Sequence, residues 1–213
     1  MANWDKTQAM KKRLQGEGKL DSIGGEDFYQ GRPIIHRDSP VNGGVYLGAK
    51  QREAIVVDSK KYSGLSALYS IAKNKASVDG NIRKDLVLEA VFQTVREAMP
   101  TQNEEAVEKI VREHGAEKDG KIALDVFLEK RTGVCRQDAL ACAALLELFK
   151  EEVFIRGKPG VDRNSNEVGG HAWCRYTNSG GEVFILDVAQ NYLGKLEKAP
   201  DKKRWDYERP EDF

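Results

Sequence analysis

From Cys135 to Lys150 the chain runs sixteen residues without a glycine or proline, and it includes the eight-residue apolar run Ala139 to Leu146. Alanine and leucine dominate the segment, and both are strong helix formers, so it reads as the best helix in the chain. Cys135, Ala139, Cys142, Leu146 and Phe149 fall on one stripe at helical spacing, and that stripe faces a sheet. Three strand-like runs follow: Val153 to Arg156, His171 to Tyr176 and Glu182 to Val188, separated by turn-forming residues. A helix laid on antiparallel strands is an α+β arrangement. The fourteen residues from Gly157 to Gly170 are polar and read as a mobile loop just ahead of His171. Asp162, Arg163 and Asn164 in that loop are candidates for contacting a substrate.

Upstream the pattern is more broken. Residues 4–14 read as a short charged helix, and glycines interrupt residues 15–53, with short strands expected at Pro33 to His36, Val45 to Gly48 and Ala54 to Val57. Ser63 to Lys73 reads as a helix. Ile82, Leu86, Val87, Ala90, Val91 and Val95 recur at helical spacing up to the stop at Pro100. Asn103 is placed to cap a further helix whose inner face is Val107, Ile110 and Val111 and whose end is Gly115. Ile122 to Lys130 is a last helix or turn before Cys135. The expectation is a single domain over 1–213: an N-terminal α/β extension over 1–118, a core over 119–196 and a charged tail over 197–213, the tail lying on the surface pinned by Trp205 and Tyr207.

Charge and composition narrow the function classes. Lys+Arg and Asp+Glu both number 34, so there is no positive surplus to hold a nucleic acid. The longest apolar run is far short of the roughly twenty residues of a membrane span. The first residues carry no secretory pattern, so a cytoplasmic location is expected, with signal-independent secretion as the other route. Three cysteines are too few and odd in number for a disulfide framework. No cofactor is implied. Cys135, Cys142, His171 and Cys174 do not suit one zinc ion, because Cys135 and Cys142 stand roughly 10 Å apart along a helix and Cys174 lies on the opposite strand face from His171.

The chemistry concentrates in three places. Cys135 opens its helix, where unpaired N–H groups and the helix dipole favour an anion and hence a thiolate. Its own backbone N–H is placed to bind an oxyanion at an attacked carbonyl. Downstream, folding Gly169 to Tyr176 against Glu182 to Asp187 about Ser179 sets His171 opposite Asp187, with Trp173 opposite Ile185. Opposed side chains on one face stand about 4.5–5.5 Å apart at Cβ, so an imidazole and a carboxylate there can hydrogen-bond. Trp173 shares the His171 face and is expected to wall a cleft. Cys142 and Cys174 read as core residues. Asp138, three residues after Cys135, reads as a first-turn carboxylate that would oppose the thiolate if close.

The order Gly133-Val-Cys135, then His171-Ala-Trp173, then an aspartate sixteen residues beyond the histidine, resembles the transglutaminase-like superfamily over about residues 120–194. The resemblance implies a papain-like core with Cys135 as nucleophile, His171 as general base and Asp187 as its orienter. It also implies a cysteine-dependent amide hydrolase, a peptidase or amidase acting on a protein or peptide through a thioester. Acyl transfer to an amine, or a non-catalytic binding module on the same fold, are the alternatives. The chain departs from the family pattern at Arg136, where an aromatic residue is common, and at Val188, where proline is common. Those departures leave the substrate open.

Overall fold

A computed structural model of the chain describes residues 6–48, 53–167, 169–199 and 206–210, without the side chains of 6–10 and 166. Helix α1 (Lys6–Gly16) leads into an antiparallel sheet of β1 (Leu20–Ile23), β2 (Glu26–Tyr29) and β3 (Arg32–Pro33). Then come β4 (Val45–Leu47), β5 (Ala54–Val56), α2 (Ser63–Lys75), a small hairpin of β6 (Ser77–Val78) and β7 (Asn81–Ile82), and α3 (Val87–Ala98). β8 (Thr101–Gln102), α4 (Glu104–Glu113), β9 (Lys121–Ala123), α5 (Leu124–Glu129) and β10 (Thr132–Gly133) lead into α6 (Cys135–Glu151). Four antiparallel strands finish the fold in chain order: β11 (Gly157–Asn166), β12 (Gly169–Asn178), β13 (Val183–Asp187) and β14 (Tyr192–Lys195). The architecture is mixed α+β.

α6 lies at the centre. Eight consecutive apolar residues cover the whole circumference of a helix, so such a helix is stable only when enclosed. Ala139 through Leu146 are all buried, between α2 and α3 on one side and the four-stranded sheet on the other. Ala172, Cys174, Tyr176 and Leu186 on the near face of the sheet join the same apolar cluster, which runs from Ile35 to Val188. Each buried Leu or Phe there contributes about 1.5–3 kcal/mol. Two ladders cross residue 118: β5 pairs parallel with β9, and β8 pairs parallel with β10. The expected cap at α4 is present, with Asn103 Oδ1 accepting from the Ala106 N–H at 3.1 Å.

Two expectations are corrected. Val153 to Arg156 is no strand: Val153 takes the left-handed region (φ 63°) and the Phe154 N–H donates to the Phe149 carbonyl at 3.0 Å, closing the end of α6. Residues 157–170 are no mobile loop. Gly157 to Asn166 pair residue by residue with Asn178 back to Gly169, forming an edge strand. Its polar character misleads because its polar groups are satisfied from elsewhere: Asp162 is fully buried against Arg209, and Asn164 donates to the Asp206 carbonyl at 2.7 Å.

Gly160 on this strand is closed in by backbone, since an added Cβ would stand 2.4 Å from the Arg37 carbonyl oxygen. Gly160→Ala is therefore expected to cost about 1–3 kcal/mol, read as a fall in the urea midpoint at constant slope; an unchanged midpoint would show that residues 37–38 do not hold the strand. In the tail, Tyr207 is buried and pins the chain as expected, while Trp205 lies outside the described residues.

Candidate active site

The start of α6 is built from both halves of the chain. β10 runs parallel to β8, the Asn103 N–H reaches the Gly133 carbonyl at 3.4 Å, and Thr132 Oγ1 donates to the Thr101 carbonyl at 3.2 Å. Gly133 is required for close packing, since a Cβ there would meet Met99 Sδ at 3.0 Å and Gln137 Cβ at 3.1 Å. Gln137 Oε1 reaches back to accept from the Val134 N–H at 3.1 Å, which closes the first turn. Cys135 is the first helical residue and is partly exposed, whereas Cys142 and Cys174 are fully buried. Burial pushes both of those thiols up, which suits core residues and not nucleophiles.

His171 and Asp187 meet, by a register different from the one expected. The β12–β13 ladder pairs Cys174 with Leu186 and Thr177 with Val183, so its next step sets Asp187 beside Trp173 and diagonal to His171. The difference arises in the turn. Asn178 Oδ1 accepts from the Gly180 and Glu182 N–H groups, both at 2.9 Å, which centres the reversal on Gly180, one residue beyond Ser179. The change keeps side-chain parity, so both residues stay on one face. The diagonal is within reach of the two side chains, and His171 Nε2 lies 2.5 Å from Asp187 Oδ2 with both residues buried.

The Cys135 side chain is hydrogen-bonded to the same imidazole. Burial pulls the imidazole toward neutrality, but the hydrogen bonds to Asp187 and Cys135 and their charges outweigh it and push His171 up to about 9. The protonated ring so favoured stands beside the sulfur at the helix start.

The four residues expected to meet substrate do not face one. Trp173 is fully buried; its ring centre lies 5.8 Å from that of His171, and it packs edge-on to Tyr207, backing the histidine and not walling a cleft. Asp162 and Asn164 are buried in the strand pairing described above. Arg163 lies over the Tyr46 ring at 4.9 Å and donates to the Leu47 carbonyl at 2.6 Å, tying β11 to β4. For the three β11 residues, an edge strand read as a loop turned its polar side chains toward partners distant in sequence.

Three contributors escaped the sequence reading. Tyr207 donates to Asp187 Oδ2 at 2.8 Å, and the Gln190 N–H donates to Asp187 Oδ1 at 3.0 Å. Gln102 Nε2 donates to Asp138 Oδ2 at 2.6 Å, which sets an exposed amide beside the start of α6. No local pattern points to either side chain, because their partners lie 20 and 36 residues away. Asp138 itself is 1% exposed, and its Oδ1 has no hydrogen-bond partner among the described residues. Burial pushes its carboxyl up to about 8, which Gln102 and His171 oppose and the Asp187 charge reinforces. At neutral pH it is held as the neutral acid, so the anion expected to oppose the thiolate is not present there. Among the described residues no group of His, Cys, Asp and Glu is arranged to hold a metal ion, and no helix is long and apolar enough to cross a membrane.

A scan against models of protein families finds no match, and neither a search of curated proteins nor one of solved structures finds a similar chain. The chemical reading therefore rests on the geometry of Cys135, His171 and Asp187 and on the motif resemblance.

Proposed function

We propose that the protein is a cysteine-dependent amide hydrolase, a peptidase or amidase, with a core of the transglutaminase-like, papain-like kind and a protein or peptide as substrate. One observation carries the reading: a single buried imidazole is hydrogen-bonded to the sulfur at the start of α6 on one side and to Asp187, at 2.5 Å, on the other. Nucleophile, base and orienter in that order form the triad logic of acyl transfer.

The steps follow from the positions. The Cys135 thiolate attacks the amide carbon, and its carbonyl pair moves to oxygen as an oxyanion. The Cys135 N–H, at the positive end of α6, is placed to receive that charge. The oxyanion collapses, the C–N bond breaks, and His171 gives its proton to the departing amine. A thioester remains. Water then attacks the thioester carbon while His171 takes its proton; the acid leaves and the thiolate–imidazolium pair is restored. Asp187 holds the ring orientation and supports its charge throughout. Hydrolysis is the default over transfer, because an acceptor amine requires a binding site of its own and none is identified among the described residues.

The test is mass spectrometry of the intact protein after exposure to a peptide library with rapid acid quench. The expected result is an acyl adduct on Cys135 that decays to free acid, with none on Cys142 or Cys174. Absence of any adduct, together with iodoacetamide labelling of Cys135 no faster at pH 5.5 than that of an ordinary thiol, would overturn the proposal.

A further inference from the structure

We infer that Tyr207 is a positioning residue for the His171–Asp187 pair, delivered by a C-terminal strap, residues 206–210, that is clipped to β11 by a buried ion pair. The inference rests on the hydrolase reading above and extends its working parts past the core to the tail.

The phenol reaches the oxygen that matters. Tyr207 donates to Asp187 Oδ2, the same atom that faces His171 Nε2, while Oδ1 is occupied by the Gln190 N–H. With a donor on each oxygen the carboxylate cannot rotate without breaking a hydrogen bond, so the ring it orients is held as well. The Tyr207 ring is fixed independently, edge-on to Trp173 at 4.9 Å and stacked on Tyr192 at 6.0 Å. Tyr207 is 5% exposed, and burial and the Asp187 charge push its ionisation up, so it stays a donor wherever the enzyme works.

The strap is anchored on both sides of Tyr207. Before it, the Asp206 carbonyl accepts from Asn164 Nδ2 at 2.7 Å. After it, Arg209 grips Asp162 through Nη2 at 2.6 Å and Nε at 2.9 Å, and its Nη1 stands 3.2 Å from Asp38. Asp162 is fully buried, with Arg175 as a further cation at 3.9 Å and the charge of Arg37 also acting on it. A buried carboxylate is costly unless paired, so the strand that carries Asp162 needs the strap in place. The same clip ties the tail to Arg37 and Asp38 of the N-terminal part, since Arg209 Nη2 donates to the Arg37 carbonyl at 3.4 Å. Folding of β11, closure of the strap and alignment of Asp187 are thereby linked.

Tyr207→Phe tests the inference, because it keeps the ring and removes only the donor. The readout is the pH profile of Cys135 alkylation by iodoacetamide, followed peptide by peptide, which needs no substrate. The ionisable groups facing Asp187 are His171 from β12, Asp138 and Cys142 from α6, Tyr207 from the strap, and beyond it Tyr192 from β14. Losing the donor frees Asp187 Oδ2 on the side away from the ring, so the carboxylate and the protonated ring it orients are held less firmly beside the sulfur. The expected result is an about three- to tenfold lower rate constant at pH 5.5, with rates converging by pH 9.5. The melting temperature is expected to change by less than about 4 °C. A variant profile superimposed on that of the wild type overturns the role of Tyr207 alone. A wild-type profile with no acid-side reactivity overturns the reading of the site itself.

Discussion

His171→Ala is expected to slow iodoacetamide alkylation of Cys135 at pH 5.5 by about ten- to a hundredfold and to slow amide turnover by about 10⁴-fold or more. The two figures differ for a physical reason. An ordinary thiol is only about one part in a thousand thiolate at pH 5.5, and a neighbouring imidazolium in general raises that fraction. That gain is partly offset because a stabilised thiolate is a weaker nucleophile. On the proposed mechanism turnover loses more, since the same ring would also protonate the leaving amine and then activate water. With His171 held up to about 9, the acid-side advantage persists across neutral pH and fades as the ring deprotonates. The variant and wild-type alkylation rates are therefore expected to meet near pH 9–10, close to that value. Equal rates at pH 5.5 would show that the imidazole does not act on the sulfur. The comparison is internal, because Cys142 and Cys174 are buried and report any loosening of the fold by becoming labelled.

What could be read from residues alone divides along one line. Features with a local cause were readable: the Ala139 to Leu146 run demanded an enclosed helix, Asn103 capped α4, and Cys135 fell at a helix start. The pairing of His171 with Asp187 was readable in parity but not in register, since parity depends only on the count of residues, while register depended on how Asn178 ties the turn. Features with a distant cause were not readable. Asp162 and Asn164 make a strand look like a solvated loop unless Arg209 and Asp206, 47 and 42 residues on, are known to meet them. Gln102 and Tyr207 reach the site from β8 and the tail, and their neighbours in sequence carry no trace of it. The positions of Cys135, His171 and Asp187 were thus legible in three short motifs, and the residues that pack and hydrogen-bond around them were not.

Asp138→Asn is expected to stabilise the protein increasingly as pH rises, by about 1.4 kcal/mol for each pH unit between 5 and 7.5, toward a ceiling of ~5 kcal/mol above pH 8. The sign follows from proton counting. The folded carboxyl is raised to about 8 from an ordinary 3.8, so over this range the native state holds a proton that the unfolded chain has released. Stability carried by that group is complete below the unfolded value and is lost as pH climbs through the folded one. Asparagine copies the neutral acid: one oxygen still accepts from Gln102, and the charge never has to be buried. His171, also raised, loses its own contribution between about 6.5 and 9, and because its charge acts on Asp138 the comparison is read most directly below about 6.5. Urea unfolding at half-unit steps reads the difference directly, and parallel curves would show that Asp138 is ionised in the fold. The same proton bears on catalysis. Asp138 stands one helical turn after Cys135, so its ionisation near pH 8 would set a negative charge near that end of α6 just as His171 begins to lose its positive one. On the proposed mechanism both changes would close the alkaline side of the activity profile. In Asp138→Asn only the His171 limb remains, and the alkaline limit of Cys135-dependent turnover is expected to move from near 8 toward 9.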